Sequence, residues 1–167
     1  MSIQEFAKKL VGKKCTTVTG GLGSGSVVGL GFGEKLRRTK PLKNAKLSEI
    51  ERNYASELEL TIYCAWRLRS STEVLCGWRD AGDDRTWTLL RNVVGRPVES
   101  ATVQSGALDL AVLFVGGFAL DIFCDITAND ESEDNYTFSD KETIESVGVR
   151  SIVVEPDLRR RTFHIVD

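Results

Sequence analysis

His164 is the sole histidine of the 167-residue chain, so any scheme that needs an imidazole base must recruit this one residue. It stands between Phe163 and Ile165 in a strand-like stretch near the C-terminus. A Ser-His-Asp or Cys-His relay also needs a nucleophile presented at a sharp strand-to-helix turn, and no G-x-S-x-G occurs. Gly23-Ser24-Gly25 is no substitute, because a strand rather than a helix follows it. Asp121 and Asp125 stand four apart on a strand pattern and so share a face, as a pair of glycosidase carboxylates would. Exposed strand charges are the commoner reason for such spacing. These residues, taken by type and spacing, argue against an enzyme.

Bound groups fare no better. The cysteines, Cys15, Cys64, Cys76 and Cys124, form no C-x-x-C, which supports neither a disulfide framework nor a zinc site and points to buried free thiols. The acidic stretch 128–135, ANDESEDN, does not follow the calcium-loop pattern, so no metal and no cofactor is expected. Residues 20–33, GGLGSGSVVGLGFG, invite a phosphate-loop reading. They lack both the G-K-[ST] ending and the G-x-G-x-x-G spacing, and Val27, Leu30 and Phe32 announce a strand. A hairpin turn leading into a strand with bulges at Gly29 and Gly31 is expected instead.

The elements that must position all of this centre on residues 106–127, GALDLAVLFVGGFALDIFCDIT. Leu108, Leu110, Val112 and Phe114 alternate, Gly116-Gly117 supplies a turn, and Leu120, Ile122, Cys124 and Ile126 alternate on the return, which is a β-hairpin. Ala111, Leu113, Ala119 and Phe123 make its other face apolar too, as suits central strands covered on both sides. Upstream, Ile3, Phe6, Ala7, Leu10 and Val11 recur at helical spacing behind Ser2 and Glu5, with Gly12 to end the helix, and Cys15 to Thr19 then reads as a strand. Residues 34–57 form a polar, basic insertion with Lys35, Arg37, Arg38, Lys40, Lys43 and Lys46, within which Ser48 caps a short helix through Ile50 and Tyr54. Leu58, Leu60, Ile62, Cys64 and Trp66 alternate along the next strand, and Glu73 to Trp78 returns beside it. Asp84 caps a second helix carrying Trp87, Leu90, Val93 and Val94. Val98 to Val103 is a strand, Tyr136 and Phe138 resume pairing after the acidic loop, and a last hairpin spans 147–155 and 162–166.

A composition of 41% hydrophobic and 28% charged residues is that of a folded protein, and the length predicts a single domain over 1–167. The net charge of -2 and pI near 5.6 lack the basic excess of a nucleic-acid binder. No apolar run is long enough to span a membrane, and MSIQEFAKKL has no apolar leader core, so a cytoplasmic protein without membrane contact is expected.

The two halves also match. Leu10-Val11-Gly12-Lys13 parallels Val93-Val94-Gly95-Arg96, Leu30 and Phe32 parallel Val112 and Phe114, and Leu60 to Cys64 parallels Leu120 to Cys124. The fold class expected is therefore α+β, a β-rich antiparallel sheet with two or three short helices, built from two pseudo-repeated helix-plus-hairpin units at about 2–80 and 84–140.

This pattern, together with Ile62-Tyr63-Cys64-Ala65-Trp66-Arg67-Leu68 and Gly77, resembles bacterial immunity proteins of polymorphic toxin and contact-dependent growth inhibition systems. The resemblance covers about residues 5 to 140 and departs in the basic insertion and the C-terminal hairpin. It implies tight binding to a cognate toxin domain, a nuclease being one candidate, by a monomer or weak homodimer with no chemistry of its own. The partner-binding residues expected are Asp125, Asp130, Glu131, Glu133 and Asp134 of the acidic loop, extended by Asp83 and Asp84. The basic insertion is the competing docking surface. A small-ligand or regulatory binding module is the alternative, and an enzyme using Asp121, Asp125 or His164 comes third.

Overall fold

The computed structural model describes residues 3–45, 47–125, 134–140, 143–148, 152–156 and 163–164. The apolar positions of the first helix, α1 (Ile3–Leu10), fall on one face, and Ile3, Phe6, Ala7 and Leu10 are all buried. Gly12, at φ 81°, releases the chain in the left-handed conformation that a side chain would resist. There follow β1 (Cys15–Thr19), β2 (Val28–Arg38), α2 (Glu49–Asn53), β3 (Tyr54–Ile62), β4 (Ala65–Arg69), β5 (Val74–Gly77), a 3₁₀ turn (Trp78–Asp80), α3 (Asp84–Leu90), a second 3₁₀ turn (Arg91–Val93) and β6 (Val98–Val103). The chain ends in β7 (Leu110–Phe114), β8 (Phe118–Phe123), β9 (Asp134–Ser139), β10 (Thr143–Gly148), β11 (Ile152–Pro156) and β12 (Phe163–His164).

The protein is α+β and mostly sheet. One sheet has the order β1-β2-β3-β9-β10-β11, with β12 added to β2, and the other runs β5-β4-β8-β7-β6. Their pairings are antiparallel. The alternating residues of both sheets enter one core cluster, in which the Phe32 and Phe114 rings stack at 6.4 Å. The expected hairpin is β7-β8, and it holds interior places in its sheet. Helix α1 lays Phe6 on Phe138 of β9 at 6.0 Å, while the chain just after it bridges β6 through Val11 and Val98.

Several expectations need correction. Leu58 to Trp66 is not one strand: β3 stops at Ile62, and after Tyr63-Cys64 the chain resumes as β4 in the other sheet. The insertion is shorter than 34–57, because β2 continues to Arg38 and β3 already begins at Tyr54. Gly29 and Gly31 are regularly paired, and the irregularities fall at Cys15/Thr17 and Phe32/Lys35. The cap of α3 is Asp83, one residue before the expected Asp84. The last hairpin joins 143–148 to 152–156, and residues 163–164 pair with β2 instead.

The two helix exits are bonded to each other in matching fashion. The Gly12 N–H donates to the Val98 carbonyl at 2.8 Å and the Gly95 N–H to the Cys15 carbonyl at 2.7 Å. Cys15 N–H donates to Arg96 O and Val98 N–H to Lys13 O, each at 2.9 Å. The repeat itself is not established by these bonds. What they show is that the chain leaves its two longer helices by the same route.

Candidate functional site

Strand register decides which loops meet. Val28 pairs with Ile62, Ile62 with Tyr136, Ala65 with Phe123 and Leu110 with Ile122. One end of the sandwich therefore gathers the 20–27 turn, the Tyr63-Cys64 crossover, the 104–109 loop, Asp125 leaving β8 and Asp134 starting β9. The 78–84 segment joins them, since Trp78, Arg79, Ala81 and Gly82 line an open hollow together with Leu22, Gly23, Gly25 and Ser26. We call this the crossover end. Asp125, Asp134, Asp83 and Asp84, expected from sequence, all lie there; Asp130, Glu131 and Glu133 lie outside the described residues.

Several of these acids hold the loops in place. An Asp83 oxygen accepts the Arg85 N–H at 2.9 Å as the cap of α3, and an Asp80 oxygen accepts the Gly77 N–H at 2.9 Å. Asp125 accepts the Ala65 N–H at 3.1 Å, which fixes the first residue of β4 after the crossover. Asp109, which sequence reading missed, accepts the Cys124 N–H at 2.8 Å. Asp84 is exposed on the first turn of α3, where negative charge suits the helix dipole.

The crossover end also carries exposed apolar side chains. Trp78 is 40% exposed, Tyr63 41% and Leu22 60%. The Arg79 guanidinium lies 5.3 Å from the Trp78 ring centre and covers part of it. Aromatic and aliphatic anchors ringed by charge form the usual anatomy of a protein-binding patch. Nothing in the sequence marked Trp78, which reads there as the last residue of a strand.

The same end holds a strained residue. Leu108 has φ 61°, a conformation costly for a leucine, and its carbonyl accepts from the Tyr136 hydroxyl at 2.7 Å and the Cys124 thiol at 3.4 Å. Tyr136→Phe removes the stronger donor and is expected to cost about 0.5–1.5 kcal/mol in urea denaturation. No measurable loss would show that Leu108 holds its shape without the tyrosine.

The groups weighed for catalysis are engaged otherwise. Asp121 is 8% exposed and receives Arg67 Nε and Arg69 Nε, each at 2.9 Å. Asp125 lies beyond the end of β8 on Ala65, so the two carboxylates do not form a free pair. His164 joins the sheet through backbone pairing with Arg37. Burial pushes the Cys15 and Cys124 thiols up to about 12 and Cys76 to about 11, and Cys64 is raised further. At Cys64 and Cys124 neighbouring carboxylates add to the effect of burial, so these thiols are poor nucleophiles at neutral pH. Among the described residues no cluster of three or more His, Cys, Asp or Glu side chains could hold a metal ion. No helix there is long and apolar enough to cross a membrane.

The basic residues Lys35, Arg37, Arg38, Lys40 and Lys43 lie toward the opposite end, because β2 runs away from the crossover end; Lys46 is outside the described residues. No protein-family model matches the chain, and no curated protein or solved structure is significantly similar to it.

Proposed function

We propose that the protein is a cytoplasmic immunity protein, a monomer or weak homodimer, that neutralises a cognate toxin domain by binding it at the crossover end. The observation that carries this reading is the placement of Asp80, Asp83, Asp84, Asp109, Asp125 and Asp134 at the end of the fold that also exposes Trp78, Tyr63 and Leu22. Asp80, Asp83 and Asp84 come from one stretch, and Asp109, Asp125 and Asp134 from three others that reach the same end only through the fold. A basic partner face, such as the substrate channel of a nuclease, would be steered toward that end. Trp78 supplies the apolar contact that slows dissociation.

The partner to test is a toxin domain encoded immediately upstream. Because Asp83 and Asp125 hold backbone groups, charge reversal is best placed at Asp84 and Asp134. The double variant Asp84→Lys with Asp134→Lys is expected to slow association about tenfold or more at low salt. Trp78→Ala is expected to weaken affinity by about 2 kcal/mol or more, mainly through faster dissociation. Unchanged rates for both variants in a complex that does form would remove the crossover end. A loss confined to changes at Lys35 to Lys43 would move the interface to the basic insertion.

A further inference from the structure

A second cavity lies on the outer face of the β1-β2-β3 sheet, beneath the insertion that carries α2. It encloses about 200 Å³. Its floor is the sheet around Gly29 and Gly31, over which the Thr17, Thr19 and Ser56 hydroxyls stand, with Glu59 and Thr61 beside them on β3. A Cβ at Gly29 would strike the Thr19 hydroxyl, and one at Gly31 would strike the hydroxyls of Ser56 and Thr17. Both glycines have ordinary extended pairing and no positive φ. Their lack of a side chain leaves room for those hydroxyls, which form the polar surface of the floor, and is not required by any turn.

The walls and roof are apolar: Leu42, Leu47, Ile50 and Tyr54. Although these residues line a cavity, Leu42 remains 40%, Ile50 52% and Tyr54 39% exposed, and α2 has no buried residue at all. The insertion is held instead by local bonds. Ser48 and Glu51 form a reciprocal capping box, with Ser48 N–H donating to Glu51 at 2.8 Å, and the Leu42 N–H donates to the Arg52 carbonyl at 2.9 Å. A roof positioned by hydrogen bonds over an unfilled apolar space would bury more surface if the space were occupied.

The polar groups around the space say what would occupy it. Glu51 is committed to the capping box, Glu59, the other carboxylate of the lining, has a partner of its own, and Arg38 donates through Nε to the Tyr54 carbonyl at 3.0 Å. Lys35 lines the cavity and forms no ion pair or side-chain hydrogen bond among the described residues. The hydroxyls of Thr17 and Thr61 are likewise without a partner there. One uncommitted ammonium, two open hydroxyls and an apolar roof suit a molecule with a negative head and a flat apolar body.

We propose that this cavity is a binding site for a small organic anion with a planar apolar body, its carboxylate or similar head at Lys35 and its body beneath Leu42, Leu47 and Ile50, over the Thr17, Thr19 and Thr61 side chains. The site is independent of the toxin-binding reading, since it uses a different face and none of the same residues.

The test is titration of the ¹⁵N-labelled protein with indole-3-acetate, with indole-3-acetamide and tryptamine as its neutral and cationic counterparts. Saturable shifts of the Gly29, Gly31 and Ser56 amides with indole-3-acetate are expected, with the acetamide and the amine binding about tenfold more weakly or worse. Lys35→Gln, a change at the cavity rim, should bring acid and amide to equal affinity while leaving the rest of the spectrum in place. The proposal is overturned if indole-3-acetate gives no saturable shift at about 10 mM, if the shifts map elsewhere, or if the acid keeps its advantage over the amide in Lys35→Gln. An effect of Lys35→Gln on toxin affinity with no effect on the titration would overturn this site alone.

Discussion

Phe114→Ala is expected to cost about 3–5 kcal/mol of stability in urea denaturation. The ring is fully buried and stacks on Phe32 at 6.4 Å with an angle of 11° between the planes. Phe114 also pairs with Phe118 across the β7-β8 turn and with Val98 of β6. Removing it leaves a hole where the two sheets meet, and strands paired on both sides relax poorly into such a space. Phe114→Leu, which keeps much of the volume, should cost less than about half as much. A loss under about 1 kcal/mol for the alanine variant would show that the hairpin is not central to the core. Leu110→Ala, on the same face of β7, should fall in the range of about 2–5 kcal/mol.

Alkaline pH should weaken the fold steeply. Cys15, Cys64 and Cys76 are buried, and burial is the first cause of the rise in each of their pKa values. Above the ordinary thiol value of 9.0 the unfolded chain gives up these protons while the folded chain keeps them. The folded state then binds more protons, so stability is complete below about pH 9 and falls as pH rises. The fall continues until the folded thiols ionise, at about 11 for Cys76 and about 12 for Cys15. Each buried thiol contributes about 1.4 kcal/mol per pH unit within its window. Denaturation midpoints between pH 8 and 10.5 measure the slope, and Cys76→Ala should flatten it. A midpoint that stays level over that range would mean that the thiols are not shielded in the folded state.

Much of the local structure was legible. The spacing of Ile3, Phe6, Ala7 and Leu10 gave α1, the alternation around Gly116-Gly117 gave β7-β8, and Ser48 gave the cap of α2. The run from Leu58 to Trp66 misled because alternation reports which face a residue presents, not which strand pairs beside it. Leu58, Leu60, Ile62, Cys64 and Trp66 all enter the same core, so the apolar period continues while the chain passes from one sheet to the other. Gly29 and Gly31 were read as bulges for want of their neighbours. Only the paired strands show that threonine and serine hydroxyls take the space where a Cβ would stand. The candidate site was half legible: Asp83, Asp84, Asp125 and Asp134 were chosen by charge alone, whereas Asp109 and Trp78 joined them through strand register. A single aspartate or tryptophan carries no mark of its neighbours in space.

The exchange of strands between the sheets also bears on how the chain acquires its shape during synthesis. β4 can take its interior place only when β8, some fifty residues later, has been made, and β3 waits longer still for β9. Until then the first half carries two unpaired strand edges with apolar faces, the kind of surface that joins edge to edge with another nascent copy. Closing pairs so distant in sequence is slow. The five-stranded sheet can therefore close only once β8 has been made and the other only after β9, and until then the unfinished first half is the species most in need of shelter from its own kind.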